Sequence, residues 1–150
     1  MKLYFDAAYV AKLYINEASA EAVREFARHA ESLHTSAWCL AEMASIVHRN
    51  VREGLLTGEQ AREVGRSFRD NVASGGWRLI PLSAGLLREV ELAFETLPAQ
   101  VFLRAGDALH LASARAAGFR EIWSSDRHLL KAARHFGLKG RSVVLHSYPL

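Results

Sequence analysis

The chain has 150 residues, of which 50% are hydrophobic and 23% charged, with a formal charge of +3 and a pI near 9.3. That is the size and composition of one globular domain with a single substantial core, which excludes a disordered chain and two independently folded domains. Cys39 is the only cysteine, which excludes an internal disulfide or a zinc knuckle and agrees with a reducing compartment. No apolar run is long enough to span a membrane. The segment Met1–Phe5 runs straight into Asp6 without a signal-peptide pattern, so a cytoplasmic protein is expected.

Taken in order, Leu3-Tyr4-Phe5 reads as a short buried strand that stops at Asp6, and Ala7 to Ile15 follows with helical spacing through Val10, Leu13 and Tyr14. An acid at a strand-to-helix junction is either an N-cap or a ligand-binding group, since open α/β sheets bind ligands at the carboxyl ends of their strands. Asn16 to Ser19 is a break. The next helix starts near Ser19 and directs Val23, Phe26 and Ala27 inward as far as Ala30, and Leu33 to Ser36 is a second strand. A helix from about Trp38 carries Glu42 in an apolar run, with no cation three or four residues away on either side. Such a side chain needs a distant cation, a metal ion or the surface.

Thr57-Gly58-Glu59 leads into a polar helix from about Glu59 to Val72, with Ala61, Val64 and Phe68 inward and Arg62, Arg66 and Arg69 along one face. That face is either solvated or a nucleic-acid surface. Trp77 to Ile80 is a third strand ended by Pro81, and Ser83 is placed to cap a helix running to about Leu97. From Asp107 the segment Arg104-Ala105-Gly106-Asp107-Ala108-Leu109-His110-Leu111-Ala112 reads as a helix that is apolar on nearly every face and ends near Gly118. Asp107 sits well against the positive end of that helix dipole, but a carboxylate at the mouth of a buried helix requires a cation. Arg104 is the structural option, and a metal or substrate is the functional one.

Glu121 to Ser124 is a fourth strand, followed by Asp126 at the start of an amphipathic helix carrying Leu129, Leu130, Ala133 and Phe136; Asp126 is thus a cap or a ligand. Gly137 to Gly140 reads as a turn into a fifth strand, Ser142 to Leu145. Alternating strands and helices imply a parallel sheet with right-handed crossovers. Between Arg115 and Arg141 seven basic residues face only Glu121 and Asp126, and arginine suits phosphate.

Asp6, Glu42, Asp107 and Asp126 can therefore converge at one edge of the sheet. Four crowded carboxylates repel one another unless a cation neutralises them, and Mg²⁺ or Mn²⁺ is the hard, oxygen-seeking choice. Such ions lower the pKa of a bound water and stabilise charge on a leaving oxygen, which is phosphodiester hydrolysis. The competing readings lack their signatures. There is no G-x-G-x-x-G after the first strand, no P-loop, no G-x-S-x-G and no H-E-x-x-H, and Ala8 stands where an aspartyl-phosphate phosphatase needs a second acid. His48, His110, His128 and His135 are expected on helix surfaces or core edges.

With these residues in hand, the whole chain resembles PIN-domain ribonucleases, specifically the VapC toxins of toxin–antitoxin pairs. The resemblance rests on Leu3-Tyr4-Phe5-Asp6-Ala7-Ala8, on Ser36 to Glu42, on Arg104 to Ala112, and on Ser124-Ser125-Asp126-Arg127-His128-Leu129. It implies a three-layer α/β/α fold with a mostly parallel sheet of four to five strands. It also implies Mg²⁺- or Mn²⁺-dependent cutting of RNA, with Asp6, Glu42, Asp107 and Asp126 as the acidic cluster and Ser124 as a supporting hydroxyl. Dimerisation and a small VapB-like antitoxin entering the acidic groove are further implications. The family often has Ser or Thr just after the first aspartate, where this chain has Ala7 and Ala8.

Two functions follow. One is a metal-dependent endoribonuclease whose Arg104, Arg127 and Arg134 hold the RNA backbone. The other is a module of the same fold that binds RNA or protein without turnover.

Overall fold

The computed structural model describes residues 1–144 and contains five short strands and seven α-helices among them. Strands β1 (Lys2–Tyr4), β2 (Ser32–Ser36) and β3 (Trp77–Ile80) pair in parallel in the order β1-β2-β3. Strands β4 (Glu121–Trp123) and β5 (Lys139–Arg141) form a second parallel pair. A single parallel bridge, Phe5 to Trp123, joins the two sets, so the strands run β3-β2-β1-β4-β5 across the molecule. The expected single sheet of four to five strands is therefore two short sheets in bridging contact.

Helices α1 (Ala7–Lys12), α2 (Ala20–Arg28), α3 (Cys39–Arg52) and α4 (Gly58–Ala73) cover one face of the strands. Helices α5 (Ala84–Thr96), α6 (Ala105–Ala116) and α7 (Arg127–Ala132), with a 3-10 turn at Ala133–Phe136, cover the other. The alternation of β1 decides which side chain serves which layer. Leu3 and Phe5 pack with Val10, Val23, Cys39, Met43 and Trp77, whereas Tyr4 points the opposite way among Leu111, Ile122 and Leu129. Two apolar clusters separated by a sheet make the three-layer α/β/α architecture.

Capping places the helix starts. Asp6, Ser83 and Asp126 each accept a backbone N–H from the first turn of α1, α5 and α7, and Thr57 forms a reciprocal capping box with Gln60 at α4. Helix α6 begins at Ala105, two residues before the expected Asp107, and buries every residue from Ala108 to Ala114. Helix α1 stops at Lys12 rather than Ile15, because Leu13 and Tyr14 turn their N–H groups to carbonyls only three residues back.

The fifth strand departs from expectation. It spans Lys139–Arg141, beginning within the Gly137 to Gly140 stretch read as a turn, while Ser142 to Val144 lie beyond it and Leu145 lies outside the described residues. Gly137, with φ +70, turns the chain earlier and Leu138 enters the core. Gly140 then pairs with Ile122 at a spot where a Cβ would lie 2.6 Å from the Leu130 carbonyl oxygen, a close approach open only to glycine.

Candidate active site

Strand order β3-β2-β1-β4-β5 reverses direction between β1 and β4. In open α/β sheets such a reversal opens a crevice at the carboxyl ends of the strands. Asp6 leaves β1 and Asp126 follows β4 at that reversal. A cleft of about 630 Å³ is lined there by Asp6, Glu42, Asp107 and Asp126, four acids drawn from widely separated parts of the chain. Glu17, His110, Trp38, Arg49 and Arg104 add to its charged and aromatic lining, and Ala7, Ala8 and Ala11 contribute apolar surface.

Asp6 is only 3% exposed, and both its oxygens are engaged. Oδ1 accepts the Tyr9 N–H at 3.1 Å, and Oδ2 accepts the Ser124 hydroxyl at 2.6 Å. Asp6 is thus an N-cap and a cleft residue at once. Burial pushes its carboxyl from 3.8 up to about 6; His110, Ser124 and the Tyr9 N–H pull it down, and Asp107 adds to the rise. Ser124 is fully buried and also accepts the Asp126 N–H at 2.8 Å, so one hydroxyl ties two of the acid-bearing segments together. It supplies a hydroxyl to Asp6 where Ala7 and Ala8 have none.

Asp126 uses Oδ1 to accept the His128 and Leu129 N–H groups at 2.8 and 3.3 Å, which leaves Oδ2 without a partner among the described residues. Asp107, in the first turn of α6, has neither a hydrogen bond nor an ion pair among them. Burial raises its pKa first, with Asp126 and Glu42 adding to the rise, while His110 and Arg104 lower it. The Arg104–Asp107 pair considered from the sequence does not form. Arg104 is exposed, lies beside the Phe102 ring and exerts only a distant pull on Asp107.

Glu42 does find its distant partner, and it is His110 rather than a lysine or arginine. Nε2 of His110 lies 2.5 Å from Glu42 Oε1, and Nδ1 lies 3.0 Å from the Tyr4 hydroxyl. A carboxylate offers only lone pairs, so Nε2 carries its proton toward Glu42, while Nδ1 meets the Tyr4 hydroxyl. Burial drives the Tyr4 hydroxyl well above its ordinary pKa, which keeps it a donor. His110 is 1% exposed, which corrects its expected place at a surface or core edge. The hint was its position three residues after Asp107 within an almost wholly apolar helix.

Arg127 and Arg134 stand exposed on α7 and the 3-10 turn, outside the cleft lining. Their backbone phase faces them away while Leu129, Leu130 and Phe136 take the inward positions. Arg49, missed from sequence, lies two turns beyond Glu42 on the same face of α3 and does reach the cleft. Glu17 was missed as well, in a stretch read only as a break; it holds the buried Lys12 ammonium at 3.1 Å.

The donor set is the kind a hard cation takes: carboxylate oxygens, of which Asp126 Oδ2 and both of Asp107 have no partner among the described residues, with the carboxyls of Asp6 and Asp107 raised in pKa by burial and by neighbouring acids. Among the described residues no three His, Cys, Asp or Glu side chains stand close enough to enclose one ion. Mg²⁺ does not require such a cage, because it keeps several waters and binds through one or two carboxylates plus substrate phosphate. The residues present fit that mode of binding.

A comparison with curated proteins finds no match. Among solved structures the chain is similar to Mycobacterium tuberculosis VapC20, described as a sarcin-ricin loop cleaving toxin. The identity is 18% over 87% of this chain and 94% of that one, with a TM-score of 0.68, a likeness of fold. A family model for the PIN domain matches residues 3–135. With nine-tenths of the chain inside that match and the acids of its four segments gathered at one switch point, the protein belongs to the PIN-domain family.

Proposed function

We propose that the protein is a metal-dependent endoribonuclease of the VapC type, a single-domain toxin that hydrolyses RNA phosphodiester bonds. The observation that carries this reading is the meeting of Asp6, Glu42, Asp107 and Asp126 in one cleft at the sheet reversal. The solved toxin structure of the same fold supports it.

In this reading Asp107 and Asp126, with their unpartnered oxygens, would hold Mg²⁺ or Mn²⁺ within the acidic cluster that Asp6 and Glu42 complete, and the ion would supply an activated water and charge stabilisation at the leaving oxygen. The protein's own part is orientation and charge. Ser124 fixes the rotamer of Asp6 and the backbone of Asp126. His110, backed by Tyr4, holds Glu42 at the cleft, where its carboxylate is within the site to accept a proton from a bound water. Arg49 and Arg104, both in the cleft lining, offer forked donors to the RNA backbone, the role that the sequence also suggested for Arg127 and Arg134. A small VapB-like antitoxin that inserts a cation into the same acidic cleft would silence it, and a homodimer is the expected assembly. No helix among the described residues is long and apolar enough to cross a membrane.

The test is incubation of the purified protein with a panel of structured RNAs and Mn²⁺ or Mg²⁺, beside Asp107→Asn. Cutting by the parent and none by the variant is the expected result. Equal cutting by both, or none across the panel, would falsify the reading and leave a binding module of PIN fold.

A further inference from the structure

Next to the acidic cleft lies an aromatic feature that the metal chemistry does not use. Phe102, in the segment leading into α6, keeps 51% of its surface exposed and joins neither core cluster. Its ring lies against the imidazole of His128 on α7, with centroids 4.4 Å apart and planes at 47°. The Arg104 guanidinium stands 5.6 Å from the centre of the same ring. Leaving a phenylalanine in water forgoes the stabilisation its burial would contribute, so the ring has surface to offer a ligand. Aromatic rings, imidazoles and guanidinium planes are the groups on which unstacked bases rest.

Phe102 and His128 form a ledge just outside the cleft lining and are joined to it through Arg104 and through the Asp126 turn. Arg104 lines the cleft and stands three residues before Asp107. His128 donates its backbone N–H to Asp126 Oδ1 at 2.8 Å, so the ring that backs Phe102 springs from the turn that holds an acid of the site. A strand whose phosphate lies between Arg104 and the acids therefore passes its neighbouring base along the Phe102 face.

We propose that Phe102 and His128 form a base-stacking subsite beside the acidic cleft, with Arg104 holding the intervening phosphate. The substrate class is then RNA with an unpaired, splayed base next to the scissile bond, in a loop, bulge or single strand. A continuous duplex keeps its bases stacked on one another and has no face to present. The proposal rests on the nuclease reading of the cleft and adds to it how the substrate is chosen.

The experiment measures binding in the non-cleaving Asp107→Asn background, by anisotropy of a labelled hairpin oligoribonucleotide and of a fully paired duplex of matching composition. Phe102→Ala is expected to weaken hairpin binding about 5- to 150-fold, the range for loss of one stacked base, and to leave duplex binding and melting temperature within error. Phe102→Tyr should retain the affinity. Phe102→Trp should show fluorescence quenching beyond that of the parent's own tryptophans on adding the hairpin, and no excess over the parent with the duplex. In the cleaving protein Phe102→Ala should raise KM for the hairpin with kcat little changed. Unchanged hairpin affinity in Phe102→Ala overturns the ledge while the nuclease stands, and so does a variant that keeps RNA binding but loses a protein partner. A parent protein that neither binds nor cuts any RNA removes the nuclease reading, and the ledge with it.

Discussion

The Ser124 hydroxyl donates to Asp6 Oδ2 at 2.6 Å across a separation of 118 residues, and accepts the Asp126 N–H at 2.8 Å. Among the described residues it is the one side chain hydrogen-bonded to both acid-bearing strand ends. Ser124→Ala should therefore cost about 1–3 kcal/mol at neutral pH, the loss of a buried hydrogen bond to a charged group. Chemical denaturation with and without Mn²⁺ measures this. A cost below about 0.5 kcal/mol would mean that the hydroxyl is a bystander.

Asp6 gives the fold a definite pH dependence. Its carboxyl titrates at about 6 in the folded chain and near 3.8 when exposed, so between those values the folded state holds the extra proton. Stability of the metal-free protein then falls as pH rises from about 4 to 6, and the penalty, on the order of 3 kcal/mol at most, persists at pH 7. Asp6→Asn removes that contribution, so this variant should be more stable than the parent at pH 7 and closer to it at pH 4. Denaturation midpoints across that range test the sign.

Divalent ions should reverse the penalty. Mn²⁺ in excess is expected to raise the melting temperature at pH 7 more than at pH 5, because protons compete for the same oxygens. The rise should shrink in Glu42→Gln and Asp107→Asn. A melting temperature indifferent to Mn²⁺ at every pH would favour the module without turnover.

The Tyr4–His110–Glu42 chain should behave as a unit. His110→Leu strands the Tyr4 hydroxyl in a fully buried site and is expected to destabilise by about 2–4 kcal/mol. Tyr4→Phe in the same molecule removes the stranded group, so the double variant should cost clearly less than the sum of the two single ones. Additive costs would mean that the two hydrogen bonds are independent.

Gly140→Ala tests the close approach that sets β5. The new methyl would meet the Leu130 carbonyl oxygen at 2.6 Å and its Cα at 2.8 Å, both backbone atoms that cannot swing aside. A loss of at least about 1–3 kcal/mol is expected, as for overpacking elsewhere. A neutral result would show that α7 and β5 slide apart freely.

Much of this was legible along the chain because it depends on neighbours. Alternation in Leu3-Tyr4-Phe5, caps at Asp6, Ser83 and Asp126, and the largely apolar run from Ala108 to Ala114 each follow from residues within a turn or two. From such local signals the α/β class and four conspicuous acids could be read without coordinates. Gly140 misled for a related reason. A glycine required by contact with Leu130, ten residues away, looks the same in sequence as one required by a turn.

What folding alone decided is where the chain reverses and which groups then face each other. The parallel bridge from Phe5 to Trp123 puts Asp6 beside Ser124, and the depth of α6 puts His110 between Tyr4 and Glu42. Arg49 reaches the cleft where Arg127 and Arg134 do not, because helix phase rather than charge selects which arginine enters. Periodicity can assign a side chain to the inward or outward face of its own element. The partner it meets there depends on how separate elements pack, and that lies beyond the reach of any local pattern.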